Sequence, residues 1–354
     1  MTTPLDRADQ FCRRFGLRLP ILLAPMAGAC PPALSIAVAG AGGMGACGAL
    51  LMQPDAIAAW ASQVRTHSNG AFQLNLWIPD PPPARDAAHE AELRGFLGQW
   101  GPAVAENAAD AAPPDFAAQC EALLAAGPAV VSSIMGVYPP GFVARLKERG
   151  IAWFATVSTV AEALAAEAAG ADVIVAQGSE AGGHRGAFDA AAAERRSVGL
   201  FALLPAVADA VRVPVVATGG IADGRGVAAA LLLGASAAQI GSGLLRAPEA
   251  GTHPAWADAL AAARPEDTVV TRAFSGRAGR SIATVYTEAA AAGPAPAPYP
   301  VQRGLTAAMR AAGQQAGDLQ RMQAWAGQAA ALGRAEPAGE AVRRLWEEAR
   351  RLLA

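Results

Sequence analysis

The sequence predicts an α/β protein built as a (β/α)8 (TIM) barrel, with an insertion after the third strand and a helical extension at the C-terminus. Eight short apolar segments alternate with stretches long enough for helices, as in parallel βα units. Hydrophobic residues make up 53% and charged residues 16% of the 354 residues, which suits a large buried core. Glycine-rich turns follow several of the apolar segments, at the position where barrels carry their functional loops.

The predicted strands are short and rich in β-branched and other apolar residues, as buried parallel strands are. In chain order they span residues 21–27, 42–48, 72–78, 129–135, 151–158, 172–178, 214–220 and 237–243. The alternation alone also fits an open, doubly wound sheet. Eight successive strands favour the closed barrel.

Two of the intervening helices carry clear end signals. Thr159 and Glu162 have the spacing of a capping box, and Gly170 is placed to end the helix that follows. Asp223 is predicted to cap a second helix over residues 227–233.

Residues 1–286 are predicted to form the barrel and residues 287–354 a linker followed by a helical extension that packs on it. The helices of this extension are predicted at 304–315, 319–332 and 338–353. A segment rich in proline, alanine and glutamate, residues 79–116, interrupts the barrel pattern. It is interpreted either as a partly helical lid or as a solvated excursion, and it is the expected place for substrate selection.

Charge and cysteine content exclude several classes of function. The net charge of −2 gives no electrostatic reason to expect nucleic acid or an anionic membrane as a partner. The cysteines, Cys12, Cys30, Cys47 and Cys120, form neither a close-spaced metal pair nor a disulfide framework. We therefore expect no metal site and a reducing, cytoplasmic location.

The chain has long segments without charged residues, yet no membrane span is expected. Residues 19–54 and 122–144 contain no Asp, Glu, Lys or Arg, but prolines and glycines interrupt both. A spanning helix cannot tolerate proline at this density. Charged residues such as Asp6 and Arg7 also stand where a signal peptide would have its apolar stretch, so no secretion signal is expected.

The loop after the sixth strand is the most informative segment. Residues 177–186 read Gln-Gly-Ser-Glu-Ala-Gly-Gly-His-Arg-Gly, directly after the strand. A barrel keeps its chemistry at this end of its strands, so His184 is the candidate catalytic residue. The alternative is a surface turn whose histidine is structural. Arg185 is expected to brace the loop through a salt bridge, because adjacent side chains usually diverge.

Two glycine turns follow the seventh and eighth strands. Residues 217–220 read Ala-Thr-Gly-Gly and residues 239–242 read Gln-Ile-Gly-Ser. The loops after these two strands commonly form a phosphate site in barrels. Main-chain N–H groups at the turns can donate to phosphate oxygens, and Ser242 adds a hydroxyl donor. Tight turns without a ligand are the alternative.

Amide side chains at other strand ends suggest a larger ligand above the barrel. Asn75, Gln177 and Gln239 can each donate and accept hydrogen bonds, which suits the polar edge of a flavin ring or a ribityl chain. Residues 24–28 bring main-chain groups to the same place. Each amide alone can equally be a satisfied core residue. The predicted cofactor-binding residues are Ala24, Pro25, Met26, Asn75, Gln177, Gly182, Gly183, Gly219, Gly220, Gln239, Ile240, Gly241 and Ser242.

Taken together, the motifs at 20–28, 177–186, 217–224 and 239–242 resemble those of nitronate monooxygenases, formerly called 2-nitropropane dioxygenases. The resemblance extends to residues 271–277 and to Trp-Ala-Gly-Gln at 325–328, and so covers nearly the whole chain. The Trp-Ala-Gly-Gln motif at 325–328 and Arg185 resemble the corresponding residues of class I nitronate monooxygenases. Ser242 stands where the family usually has threonine, and Thr218 where alanine is more usual.

The resemblance implies an FMN-dependent enzyme with His184 as its catalytic residue. The implied reaction is the oxidation of alkyl nitronates by molecular oxygen to carbonyl compounds and nitrite, without reduced nicotinamide. His184 would either hold the anion as an imidazolium or remove a proton from a neutral nitroalkane. Two alternatives stay open: an NADH-dependent flavin reductase of quinones or enoyl thioesters, and a flavin-free barrel that binds a phosphate ligand.

Overall fold

A computed structural model describes residues 3–68 and 70–354. Its strands are β1 (Ile21–Leu23), β2 (Gly45–Gly48), β3 (Phe72–Trp77), β4 (Val130–Ile134), β5 (Ala152–Val157), β6 (Val173–Gln177), β7 (Gly183–His184), β8 (Val215–Thr218), β9 (Ala237–Ile240), β10 (Thr268–Thr271) and β11 (Gly279–Ile282). Its α-helices are α1 (Pro4–Phe15), α2 (Pro32–Ala41), α3 (Pro54–His67), α4 (Ala87–Leu97), α5 (Phe116–Ala126), α6 (Pro140–Glu148), α7 (Val160–Ala168), α8 (Leu200–Ala210), α9 (Gly224–Leu232), α10 (Pro254–Ala262), α11 (Val285–Ala292), α12 (Val301–Leu305), α13 (Ala307–Ala316) and α14 (Ala338–Leu353).

Eight parallel strands form the barrel, each within one of the eight segments predicted to be a strand. Their order is β1-β9-β8-β6-β5-β4-β3-β2. The remaining gap is closed by a parallel bridge between Leu22 and Met44, where the Leu23 N–H donates to the Met44 carbonyl at 2.9 Å. The predicted (β/α)8 barrel is thereby confirmed, and the open sheet is excluded.

The barrel is closed at the end where its strands begin. Phe11 and Phe15 of α1 lie against Phe154 of β5, with ring centroids 6.1 Å and 5.0 Å away. Phe11 and Phe154 are fully buried there with apolar residues of other strands. The barrel is therefore accessible only at the carboxyl ends of its strands, where barrels place their chemistry.

Helices α2, α3, α5, α6, α7, α8 and α9 cover the strands from outside, and α14 fills the last position between α9 and α2. Buried residues of α14 recur at helical spacing, including Val342, Leu345 and Ala349. Thr159 and Asp223 cap α7 and α9 as predicted, each accepting a main-chain N–H. Glu162 departs from the capping box, because its carboxylate accepts from the Ser158 N–H and hydroxyl instead.

The insertion at 79–116 is partly helical, containing α4 and a 3₁₀ turn at Glu106–Asp110. It is not a solvated excursion, since Leu93 and Leu97 of α4 are buried in a separate apolar cluster. That cluster also contains Phe274, Tyr286 and Met309 from the chain after the barrel. The insertion and the C-terminal part of the chain thus pack together.

Two predictions for the C-terminal region were wrong. Residues 287–292 belong to α11 rather than to a linker. The helix expected over 319–332 is replaced by short 3₁₀ turns at its two ends and an extended segment between them. Trp325 forms an antiparallel bridge with Ser281, and the Ala326 N–H donates to the Arg280 carbonyl. These pairings satisfy main-chain groups that a helix would otherwise use, so tertiary contacts override local helical propensity.

The other predicted helices of this region are present. The helix predicted at 304–315 is divided into α12 and α13 at Thr306, whose hydroxyl donates to the Phe274 carbonyl at 2.7 Å. The helix predicted at 338–353 is α14. Strands β10 and β11, together with β7, form a small antiparallel sheet beside the barrel opening that the sequence pattern did not predict.

Candidate active site

A cavity of about 550 Å³ opens at the carboxyl ends of the barrel strands, a size typical of small-molecule and cofactor sites. Its lining divides into two parts. The barrel wall comprises the lining residues from Ala24 to Leu245, at and after the strand ends. The distal wall comprises the lining residues from Trp256 to Ala330.

His184 and every predicted cofactor-binding residue except Ile240 line this cavity. Ile240 is fully buried and packs in the barrel core. The strand ends therefore bring residues that are up to about 220 positions apart in sequence to one opening, as the barrel topology requires.

The glycine turns after β8 and β9 present main-chain donors. Within the described residues, the N–H groups of Gly219, Gly220, Ser242 and Gly243 donate to no acceptor. Gly219 and Gly220 have φ of 107° and 68°, a conformation that glycine adopts without strain. The Ser242 hydroxyl accepts from the Gly327 N–H at 2.9 Å, which leaves its own hydrogen free to donate. Unpaired N–H groups clustered in this way form an anion site.

The three amide side chains differ in which of their hydrogen-bonding groups have no partner within the protein. Asn75 donates to the Ser132 hydroxyl at 3.0 Å, and its carbonyl oxygen has no partner within the described chain. Gln239 accepts from Gln73 at 3.1 Å, and its NH₂ has no partner there either. Gln177 is occupied at both ends of its amide. The barrel wall thus has one amide oxygen without a partner, on Asn75, and one NH₂ group without a partner, on Gln239.

Gln177 holds the loop that carries His184. Its NH₂ donates to the His184 carbonyl at 3.1 Å, and its carbonyl oxygen accepts from the Gly186 N–H at 2.7 Å. The two bonds span both sides of the histidine. Gln177 is thus a positioning residue for the loop, with only one N–H left for a ligand.

Arg185 also braces this loop, but not through the salt bridge that was expected. It is 4% exposed and donates to the main-chain carbonyls of Ala181 at 3.1 Å and Gly178 at 2.6 Å. Its guanidinium therefore fixes the turn before the histidine by bonding carbonyl oxygens.

The His184 ring lies between two tryptophans. Its centroid is 4.6 Å from that of Trp77 and 4.8 Å from that of Trp325, and both pairs are edge-on. Its Nε2 lies 2.7 Å from the hydroxyl of Ser275. The Ser275 hydroxyl donates to the Arg277 carbonyl and accepts from the Arg277 N–H, each at 3.3 Å. The 2.7 Å distance identifies a hydrogen bond between the imidazole and Ser275, in which either group can be the donor.

The environment of His184 keeps its imidazole neutral. Burial is the main cause that lowers its pKa from 6.5 to about 3, and the positive charges of Arg277, Arg303 and Arg310 contribute to the same shift. An imidazolium that holds an anion is therefore disfavoured in this site. The neutral ring offers a weak base instead.

Several residues of the distal wall were missed by the sequence analysis. Tyr299 lies 5.3 Å from Trp77, centroid to centroid, and its buried hydroxyl has no partner within the described residues. Arg303 and Arg310 also line the cavity, and no Asp or Glu does. The one available signal was the resemblance at 271–277 and 325–328, which indicated that these segments matter without showing where they lie.

The insertion does not contribute to the cavity. None of residues 79–116, all of them described, lines it. The insertion instead contacts the distal wall from behind, where Asp80 accepts from the buried Arg277 at 2.7 Å. The expectation that substrate selection resides in this segment has no support from the geometry.

Metal-ligand clusters and membrane-crossing helices are absent from the described part of the chain. It contains no group of His, Cys, Asp and Glu residues that could hold a metal ion. None of its helices combines the length and the apolar character that crossing a membrane requires. All four cysteines are buried and free.

Comparison with known proteins places these features in one family. The family model described as nitronate monooxygenase matches residues 12–348. The nitronate monooxygenase of Paraburkholderia phytofirmans is 39% identical over 341 residues, covering 94% of this chain and 93% of that protein. The nitronate monooxygenase of Pseudomonas aeruginosa is 38% identical over 355 residues, covering 97% and 99%.

Solved structures give the same picture. A nitroalkane oxidase from Streptomyces ansochromogenes superposes with a TM-score of 0.87 at 37% identity, covering 96% of this chain and 98% of that one. FabK from Thermotoga maritima superposes with a TM-score of 0.77 at 28% identity, covering 97% and 96%. Both similarities extend over the barrel and over the segments that form the distal wall.

Proposed function

Because the chain belongs to the nitronate monooxygenase family, a family of flavin-dependent oxidoreductases, we propose that it uses FMN and molecular oxygen to oxidise alkyl nitronates. The products are a carbonyl compound and nitrite. The reaction balances when two nitronate anions and one O₂ give two carbonyl compounds and two nitrite ions. The observation that carries the proposal is that His184 and a cluster of unpaired main-chain donors line one cavity.

The barrel wall fits a flavin mononucleotide. The free N–H groups of Gly219, Gly220, Ser242 and Gly243 suit one phosphate group. The free acceptor of Asn75 and the free donor of Gln239 suit the polar edge of the ring or the ribityl hydroxyls. When bound, the flavin supplies an electron acceptor that reacts with oxygen, and the protein supplies orientation and electrostatics.

The chain's own residues determine which form of the substrate reacts well. A base with a pKa of about 3 removes a proton from a neutral nitroalkane inefficiently, because the ideal catalytic pKa lies near the operating pH. A preformed nitronate has already lost that proton. His184 can then contact and orient the substrate without a change of charge. We therefore propose the nitronate anion, rather than the neutral nitroalkane, as the preferred substrate.

The aromatic groups around His184 exclude water from the reacting carbon. Trp77 and Trp325 lie on either side of the imidazole, Tyr299 packs against Trp77, and Phe274 packs against Trp325 with ring centroids 5.8 Å apart. Side chains of this kind create an apolar space above a cofactor with few polar groups to fix orientation. Small alkyl nitronates match such a space better than polar or charged chains do.

Acid precipitation identifies the cofactor. The supernatant should contain FMN, because no covalent attachment is expected. FAD in the supernatant, or flavin retained by the pellet, would overturn the proposed cofactor. A colourless protein that does not take up FMN would instead favour a flavin-free barrel.

Anaerobic mixing tests the reaction class. Anaerobic mixing with propyl-2-nitronate should change the flavin absorbance, whereas mixing with NADH should leave the absorbance nearly unchanged. Admission of oxygen should then restore the spectrum and yield nitrite and acetone. Rapid bleaching by NADH with no response to the nitronate would assign the protein to the flavin reductases, a class suggested by the likeness to FabK.

A further inference from the structure

The distal wall contains two arginines that the fold treats differently. Arg310 uses its guanidinium to join parts of the wall: it donates to the Thr306 hydroxyl at 3.1 Å, to the Gln323 side chain at 3.1 Å and to the Arg303 carbonyl at 2.9 Å. Its position is explained by these bonds. Arg310 is a structural residue of the wall.

The position of the Arg303 guanidinium is not explained by hydrogen bonds of this kind. Within residues 3–68 and 70–354 it makes neither a hydrogen bond nor an ion pair, although it is half-buried and lines the cavity. Burial lowers the pKa of Arg303, so the site bears a cost for holding this charge. Arginine has five donors in a planar fork that matches two-oxygen anions.

A second unpaired donor belongs to Tyr299, four residues before Arg303 in the chain. The hydroxyl of Tyr299 is buried and has no partner among the described residues. Tyr299 and Arg303 both line the cavity. The cavity lining contains no carboxylate that could neutralise Arg303. An unpaired cation and an unpaired hydroxyl, with no carboxylate in the lining, together suit the binding of an anion.

Building on the proposed function, we propose that Arg303 binds the two nitro oxygens of the nitronate, with the Tyr299 hydroxyl as a further donor. Arg303 is then the residue that selects the anion over the neutral nitroalkane. The neutral imidazole of His184 cannot supply this attraction. In this proposal Arg303 binds the negative charge of the substrate, and His184 lies beside the reacting carbon.

Kinetics of the flavin-loaded enzyme test this assignment. Arg303→Met should lower kcat/KM for propyl-2-nitronate by about 10- to 100-fold, mainly through KM, as expected for loss of a charge-assisted hydrogen-bonded contact. With freshly dissolved neutral 2-nitropropane the loss should stay within about threefold. Arg303→Lys should recover part of the nitronate activity, because it restores the charge without the fork. Equal losses on both substrates would overturn the proposal.

Binding of unreactive probes gives a readout that does not depend on turnover. Isobutyrate has the shape and charge of propyl-2-nitronate, and isobutyramide is its neutral counterpart. Titrated into the flavin-loaded protein and followed by flavin absorbance, isobutyrate should bind at least about tenfold more weakly to Arg303→Met than to wild type. Isobutyramide should bind both alike. Unchanged isobutyrate binding would contradict the assignment.

Matched variants separate misfolding from a specific effect. Arg145→Met removes an exposed arginine that pairs with Glu121 on the outside of the barrel, and it should leave both probes and both substrates unaffected. If Arg303→Met fails to fold, Arg303→Lys carries the test with the same two probes. A wild type that binds isobutyrate through Arg303 but oxidises no nitronate would refute the proposed function and leave the anion site standing.

Discussion

The two walls of the cavity are made of different chemical groups. The barrel wall offers main-chain N–H groups at Gly219, Gly220, Ser242 and Gly243 together with uncharged amides. The distal wall offers cationic and aromatic side chains, and the ring of His184 lies where the two walls meet. Main-chain donors fixed by strand ends suit a cofactor that stays in place. The side chains of the distal wall suit a substrate that binds and dissociates in every turnover.

The largest expected effect concerns the meeting point of the walls. His184→Asn should keep FMN and thermal stability, because the loop is held by Gln177 and Arg185 rather than by the imidazole. Activity on neutral nitroalkanes, already low because this base is weak, should fall by about 10- to 100-fold, at or below the 10²–10⁴-fold contribution that is usual for a general base. Turnover of preformed nitronate should fall less, because no proton has to be removed.

Initial rates on a nitroalkane and on its nitronate, measured with the same enzyme preparation, check this prediction. Small and equal losses on both substrates would make His184 a structural loop residue. Large and equal losses would make it an anchor for the anion, in conflict with its neutral state.

The next effect tests whether the barrel wall holds the cofactor through its free amide groups. Asn75→Leu and Gln239→Leu should weaken FMN binding by about 5- to 100-fold each, since a buried partner of the flavin is lost at about 1–3 kcal/mol. Gln177→Leu should affect FMN less and disturb the His184 loop more, because its amide is already bonded within the protein. Dissociation constants for FMN, from fluorescence quenching, and activity measured at saturating FMN distinguish the two patterns. Equal FMN losses in all three variants would show that Gln177 contacts the flavin as the others do.

A smaller effect follows from the neutral state of His184. The unfolded chain takes up a proton at this residue near pH 6.5, whereas the folded protein keeps the ring neutral until about pH 3. The stability contributed by the neutral ring is present above pH 6.5 and is lost progressively as the pH falls toward 3. Between these values the free energy of unfolding should fall by about 1 kcal/mol more per pH unit in wild type than in His184→Asn. Denaturant titrations at a series of pH values measure this difference, and parallel pH profiles would show that His184 is charged in the folded protein.

The sequence predicted one wall much better than the other. Strand periodicity and glycine turns locate the barrel wall, because parallel strands bring their carboxyl ends to one opening whatever lies between them. The distal wall depends on pairing between distant segments. Trp325 reaches His184 only because its main chain pairs with Ser281, and local sequence favoured a helix there.

The role of Gln177 shows a second limit of sequence reasoning. A polar residue at a strand end was a sound candidate for contact with a ligand. The acceptor and donor that occupy its amide, the His184 carbonyl and the Gly186 N–H, come from the loop that folds back over it. Whether an amide is free or satisfied depends on this loop geometry, which the order of residues does not contain.

The division of the cavity into a cofactor wall and a substrate wall is the central claim, and FMN affinity tests it most directly. The measurement is the dissociation constant of FMN from wild type, Ser242→Ala and Arg303→Met, with Ser242→Thr as the control that keeps the hydroxyl. Ser242→Ala should bind FMN about 5- to 30-fold more weakly, as expected for one lost hydrogen bond to a phosphate, while Arg303→Met and Ser242→Thr should stay within about twofold of wild type. If Arg303→Met weakens FMN as much as Ser242→Ala does, the arginine holds the cofactor and the two walls do not divide the work.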